Sequence, residues 1–156
     1  MKISTKGKYG LRAMIDLAQY SEQEAVSISS IAQRQKISES YLEQLVAKLK
    51  KAGLVISIRG AAGGYRLARP AADISVGDVL RALEGDVRAV ICTAQTEEGC
   101  EGEELCVTKY VWQRINESIE KTVDEMMIDQ LVAESRKAQE KAKNHDVDYS
   151  RNSCSG

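Results

Sequence analysis

Between residues 38 and 67 the apolar residues of this chain change their period, and that change limits the fold more than any other feature. From Ser38 or Ser40 onward, Leu42, Leu45, Val46 and Leu49 recur at three- and four-residue steps, the stripe of an amphipathic helix. Ser40-x-x-Glu43 fits a capping box for its start, and Ser38 is equally good cap chemistry. Lys48, Lys50 and Lys51 crowd the last turn, where the helix dipole favours cations, and Gly53 ends it. Leu54–Ile58 then alternates as a short strand, Gly60–Gly64 is a glycine-rich loop, and Tyr65–Leu67 starts a returning strand. Ahead of this lie an amphipathic helix over residues 5–20, with Leu11, Met14, Ile15 and Ala18, and a second helix from a cap at Ser29 to about Gln35. Two helices joined by a short turn at Ile37 and followed at once by a hairpin make a winged helix-turn-helix. The glycine loop has no Lys-Ser/Thr after it and leads into a strand, which argues against a phosphate cradle.

The remainder should be helical, because the chain has one Pro, no Phe and long stretches rich in Ala, Leu, Lys, Glu and Gln. Pro70 closes the wing, and Ser75 caps a fourth helix that buries Val76, Val79, Leu80 and Leu83 before Gly85 stops it. From about Leu105 to Lys137 a single long helix is expected, with Trp112, Ile115, Ile119, Val123, Met126, Met127 and Leu131 at helical steps. A winged helix needs no helix of that length for its own core, which points to a homodimer interface; packing under the first helix is the alternative. The fold class is therefore mainly α with a small two-stranded antiparallel wing. The expected organisation is a winged helix-turn-helix over residues 1–85, a cysteine loop over 86–109, a dimerisation helix over 110–135, and a polar, disordered tail over 136–156. No apolar run approaches the ~20 residues of a membrane span, and Arg12 and Asp16 interrupt the basic N-terminus, so the chain does not open on a signal peptide. The expectation is a cytoplasmic protein with no membrane partner.

Cys92, Cys100 and Cys106 fall within fifteen residues of acidic, glycine-containing chain that offers almost nothing apolar for a thiol to pack against. A metal or cluster held by thiolates would order such a segment. The spacing lacks the paired C-x-x-C of common zinc sites, and a reducing cytoplasm disfavours a disulfide. Charge is divided as well. Residues 1–70 carry twelve Lys/Arg against five Asp/Glu, a net +7, whereas residues 71–156 carry ten against eighteen, a net −8. A basic half beside an acidic half suggests that only the first meets a polyanion.

Ser4-Thr-Lys-Gly-Lys-Tyr9, Ser40-Tyr-Leu-Glu-Gln-Leu45, Leu54-Val-Ile-Ser-Ile-Arg-Gly60 with Gly63-Gly64-Tyr65, and the three-cysteine segment together carry a resemblance. From residue 1 to about 130 the chain resembles the iron–sulfur-cluster-responsive transcription regulators of the Rrf-type winged-helix family. The resemblance implies a cytoplasmic homodimer on double-stranded operator DNA, acting as a repressor at iron–sulfur biogenesis genes. It implies a [2Fe–2S] cluster on Cys92, Cys100 and Cys106 that alters which operators are bound, with the iron–sulfur assembly machinery as cluster donor. One departure stands out. The family pattern has a His three residues after the third cysteine, where this chain has Lys109, and a protonated ammonium does not ligate. The fourth ligand stays open among His145, Cys154, Glu97, Glu98, Glu101, Glu103, Glu104, a backbone group, water, or a residue from across the dimer. A nitric-oxide-sensing branch uses an acid near the start of the first helix; residues 5–9 contain none.

For DNA, Ser38, Ser40, Tyr41, Glu43 and Gln44 face away from the apolar stripe near the start of the third helix. Gln44 can pair with adenine, and Glu43 tolerates a polyanion only where a cytosine amino group meets it. A capping-box role is the plainer reading of Glu43. Arg59 at the wing tip suits a minor groove, with Gly60 permitting close approach; a solvated loop arginine is the alternative. Rival readings are a regulator whose thiols hold structural zinc or respond directly to oxidants, and a winged-helix adaptor that meets proteins only. One histidine and no nucleophile–base arrangement argue against an enzyme.

Overall fold

The computed structural model describes residues 3–91 and 105–153, with side chains as far as residue 146. Three helices, α1 (Thr5–Tyr20), α2 (Ile28–Gln35) and α3 (Glu39–Lys51), lead into a hairpin of β1 (Val55–Ile58) and β2 (Gly64–Leu67). A 3-10 turn at Ala71–Asp73 precedes α4 (Val76–Glu84), and α5 (Thr108–Glu125) and α6 (Ile128–Ser153) complete the chain.

The core collects one stripe from each of the first helices. Met14 and Leu17 of α1, Ile31 of α2, and Leu42, Leu45 and Leu49 of α3 are all buried, and Val55 and Val79 close the cluster from the wing and α4. Those spacings are the sequence's own, so helix formation and burial select the same face. Ser27 caps α2 by accepting the Ser30 N–H, two residues earlier than the expected cap at Ser29. Of the two serines offered for α3, Ser38 serves: its hydroxyl accepts the Tyr41 N–H, so the Ser40–Glu43 capping box does not form.

The hairpin is antiparallel with Ile56 opposite Arg66 and Ile58 opposite Gly64. It gains a third partner in Val26, whose N–H and C=O both pair with Tyr65, at 2.9 and 2.8 Å. Gly64 is required there, because a Cβ on it would overlap the Val26 carbonyl. α4 has the capping box that α3 lacks, with Ser75 accepting from the Asp78 N–H and Asp78 accepting from the Ser75 N–H.

Two expectations for the C-terminal part are corrected. The long helix is not continuous: Met126 is extended, at φ −84° and ψ 115°. Met126 and Met127 leave the helix because they add a rung to residues 74–76, with Val76 N–H bonded to the Met126 carbonyl and Ile128 N–H to that of Ile74. The expected seam therefore splits. Ile128 and Val132 are buried in the main core with Leu131 packed against it, and Val123 packs on a second cluster of Val76, Leu80 and Val87. Residues 136–153, expected to be disordered, continue α6 as helix. Ala, Gln, Glu and Lys favour helix, and the first turns are seated on α1 through Ser135–Gln19 and Gln139–Gln19 bonds.

A candidate DNA-reading face and cysteine site

The reading face is built on a fixed turn. Lys36 closes α2 in the left-handed conformation at φ 55°, and three residues hold the turn that follows. Asp16, whose side chain is fully buried, receives Arg34 through both Nε and Nη2 at 2.9 and 2.8 Å, and the Gln35 amide at 2.8 Å. The hydrogen bond to Asp16 raises the Arg34 pKa above its ordinary value. Arg12 reaches from α1 to the Gln35 carbonyl at 2.7 Å and to its side-chain oxygen at 3.2 Å. The Arg34 guanidinium lies 4.1 Å over the Tyr20 ring and that of Arg12 5.2 Å over Tyr9. These clamps went unassigned in the sequence, although Asp16 carried a signal: an acid on the buried face beside Met14 and Leu17 needs a counter-ion.

On that turn, Ser38, Ser40, Glu43 and Gln44 are exposed. The side chains of Ser40, Glu43 and Gln44 make no hydrogen bond to any described residue, so their polar groups remain available. The capping role considered for Glu43 is gone, because Ser38 and not Ser40 caps the helix. Tyr41 differs. It is half-buried and packs edge-on to Tyr9 with ring centroids 6.2 Å apart, so it also joins α3 to α1. Arg59 and Gly60 are exposed at the wing, where Gly60 adopts φ 111° and its carbonyl accepts the Gly63 N–H. Lys50 bonds the Ser57 hydroxyl at 2.9 Å and fixes α3 against β1. That bond ties the helix carrying Ser40, Glu43 and Gln44 to the strand that leads into Arg59.

At the cysteine site, Cys106 is described, whereas Cys92, Cys100, Cys154 and Glu97, Glu98, Glu101, Glu103 and Glu104 lie outside the described residues. Among the described residues no group of three His, Cys, Asp or Glu side chains comes together as a metal set. Cys106 precedes the first turn of α5 with its Sγ 3.2 Å from the Thr108 hydroxyl. The Thr108 hydroxyl, and after it the Lys109 backbone N–H, hold the thiol below its usual pKa. Thiolate is the ligating form of cysteine, so this donor fits a metal or cluster. Lys109 does not: its ammonium sits 5.4 Å from the Tyr110 ring centroid, a cation–π contact. In the same chain His145 lies on α6 beyond Gln139, which bonds Tyr20 at the end of α1, whereas Cys106 precedes α5, whose Ile119 lines a small cavity with Ile3 and Glu84.

Both flanks of the cysteine segment are tied to the reading unit. Asn116, buried on α5, accepts the Ala89 and Val90 N–H groups and donates to the Val90 carbonyl at 2.8 Å. Arg81 of α4 pairs with Asp124 of α5 through two bonds of 2.7 and 3.0 Å. At the end of α4, the Glu84 carboxylate accepts from the Ser4 N–H, the Ser4 hydroxyl and the Gly7 N–H, capping α1 from another element. Gly10 lets the two helices close, because a Cβ there would overlap Leu83.

The apolar side chains Tyr110, Val111 and Ile115 of α5 are 63, 49 and 38 % exposed. Among the described residues no helix is long and apolar enough to cross a membrane.

Comparison with known proteins agrees with this architecture. Residues 3–134 match the Rrf2 family model, described as an iron-dependent transcriptional regulator. The HTH-type transcriptional regulator IscR of Vibrio atlanticus (strain LGP32) is 40% identical over 135 residues, covering 86% of this chain and 77% of the relative. The solved T. potens IscR is 46% identical at a TM-score of 0.71, covering 89% of this chain and 91% of its own. CymR, the global cysteine regulator of B. subtilis, is 41% identical at a TM-score of 0.70, covering 85% and 97%. A winged helix-turn-helix with its clamped reading helix, matched across 132 residues by one family and by solved regulators at these identities, is a transcription regulator and not an enzyme: the chain belongs to the Rrf2 family of iron-dependent transcriptional regulators.

Proposed function

We propose that the chain is a cytoplasmic homodimer that binds double-stranded operator DNA and senses iron–sulfur status through a [2Fe–2S] cluster held by Cys92, Cys100 and Cys106. Its targets are iron–sulfur biogenesis genes, which it represses, and the iron–sulfur assembly machinery is its cluster donor. The observation that carries the reading is Cys106, a thiol held below its usual pKa by the Thr108 hydroxyl just before α5, the helix whose Tyr110, Val111 and Ile115 are exposed. An iron–sulfur group at such a site supplies a centre whose presence depends on iron, sulfide and oxidants. Lys109 is not part of the ligand set. The fourth donor is left among the acidic residues near the thiols, a backbone group, water, and a residue such as His145 or Cys154 reaching across the dimer.

On the DNA side, Gln44 reads adenine, Glu43 selects cytosine through its amino group, and Ser38, Ser40 and Tyr41 line the approach. Arg59 enters a minor groove beside Gly60. The chain's own residues supply the connection. Asn116 and the Arg81–Asp124 pair fasten the segment after α4 to α5, and Glu84 with Leu83 fastens α4 to α1. A change in how residues 89–90 sit is thereby passed to the helix that clamps the reading turn, which is the differential contact any coupling between two sites requires.

Anaerobic purification followed by visible absorption and iron and sulfide assay tests the sensor. Coloured protein with iron and sulfide, bleached by Cys92→Ala with fold and dimer retained, is the expected result. Colourless protein that stays free of iron after reconstitution overturns it, and zinc without sulfide would reassign the thiols to a structural metal.

A further inference from the structure

A cleft of about 580 Å³ opens between α1, α2 and α6, on the flank where the reading unit meets the C-terminal helix. That volume is in the range that holds small molecules, roughly 300–1,000 Å³. Its walls carry two guanidiniums held on aromatic rings, Arg12 over Tyr9 and Arg34 over Tyr20. They also carry two carboxylates, both already engaged: Asp16 by Arg34 and Gln35, and Glu134 by Lys137. Among the described residues Arg12 is bonded to the amide oxygen and carbonyl of Gln35 and has no carboxylate partner. It is therefore the one guanidinium of the cleft that is not paired with an acid, on a side chain oriented by those two bonds. Facing it, Ser135, Gln19 and Gln139 form a hydrogen-bonded row from α6 to α1.

We infer that this cleft binds a small organic anion, its charged end on the Arg12 guanidinium beside the Arg34–Asp16 pair and its polar body along Gln19, Ser135 and Gln139. A guanidinium recognises carboxylate and phosphate oxygens by the same planar fork, so the shared chemistry is an oxyanion on a metabolite of amino-acid size. Ser135 and Gln139 lie beyond residues 3–134, the part that matches the family model, so two of the cleft's polar groups come from the continuation of α6. An occupant would touch α2 and α6 at once and add a bridge between the helix-turn-helix and the C-terminal helix.

The test is a titration of full-length ¹⁵N-labelled protein with acetate, succinate, L-glutamate and 3-phosphoglycerate, following the Arg side-chain Nε–H signals and the Gln139 amide by NMR. The expected result is a saturable shift of Arg12, Arg34 and Gln139 with at least one probe, weakened about tenfold or more in Arg12→Gln, the loss of one charge-assisted hydrogen bond. The carboxylate and phosphate probes distinguish the two sources of the oxyanion. Gln139→Trp, which fills the cleft from an exposed position on α6, should abolish the shift with the circular dichroism spectrum unchanged. A shift that rises linearly without saturation for every probe, or one that persists undiminished in a folded Arg12→Gln or Gln139→Trp protein, overturns the inference.

Discussion

Glu84 is the residue on which two elements depend. Its carboxylate takes three donors at the start of α1, and the Ser4 hydroxyl, helped by the Ser4 and Gly7 backbone N–H groups and opposed by burial, holds it below the usual carboxylate range. Because its pKa is lower folded than unfolded, its stabilisation is fully present above the ordinary glutamate value of about 4.3 and is lost as the pH falls through the folded value. Glu84→Gln keeps an acceptor and removes the charge. It should cost about 1 kcal/mol at neutral pH, the worth of a charged cap, and lose part of the wild type's acid-side slope. Urea midpoints between pH 7 and pH 3 check this, and parallel curves for the two proteins would sink it. Glu43 is the opposite case, an exposed carboxylate with no intramolecular work. Glu43→Ala should leave stability within about 0.5 kcal/mol and relax operator choice at one base position. A binding-site selection returning the parental preference would end that role. At this scale the sequence made the exposed residues legible and the clamps illegible. Ser40, Glu43, Gln44 and Arg59 stand where helix period and the wing put them, but Glu84 meets Ser4 across eighty residues, a distance no local pattern spans.

The elements themselves follow from pattern where one face is buried and fail where backbone pairing decides. α1 is legible from its apolar spacing, and α3 and α4 because apolar spacing, a capping serine and a terminal glycine agree. The break between α5 and α6 is not, because Met126 and Met127 are good helix formers with no Pro or Gly beside them. What extends them is pairing with residues 74–76, a tertiary gain absent from local propensity. The junction of α1 and α4 yields a test at the same scale. Gly10→Ala introduces a methyl where Leu83 already sits, and should destabilise by about 1–3 kcal/mol. Leu83→Ala alone should cost about 2–5 kcal/mol, because a buried leucine leaves a cavity. The double mutant should be more stable than the sum of the two by about 1 kcal/mol or more, since the new methyl fills part of that cavity. Strict additivity in chemical denaturation would show that the two side chains do not compete for this space.

For the molecule as a whole, the decisive surface is the first half of α5. The sequence seam implied one continuous stripe, but the structure spends its second half inside the chain. Ile128 and Val132 are buried, and Val123 packs on α4, leaving Tyr110, Val111 and Ile115 outside with Leu105 and Val107 close by. A contiguous apolar face on one helix, with polar Gln113, Arg114 and Glu117 around it, is what a self-complementary two-fold interface uses. In the proposed homodimer, pairing of α5 with its copy would set the spacing of two α3 helices, and so the separation of operator half-sites. Ile115→Glu sets a carboxylate against its own symmetry mate and should shift the protein from dimer to monomer by light scattering, with the thermal unfolding of the winged helix kept. Operator affinity should then fall by about a thousandfold or more, toward the non-specific level, because one reading head loses the linkage that makes the second contact effectively intramolecular. Monomeric Ile115→Glu protein that holds the full operator as tightly as wild type would mean that α5 is not the dimer surface on which paired reading depends.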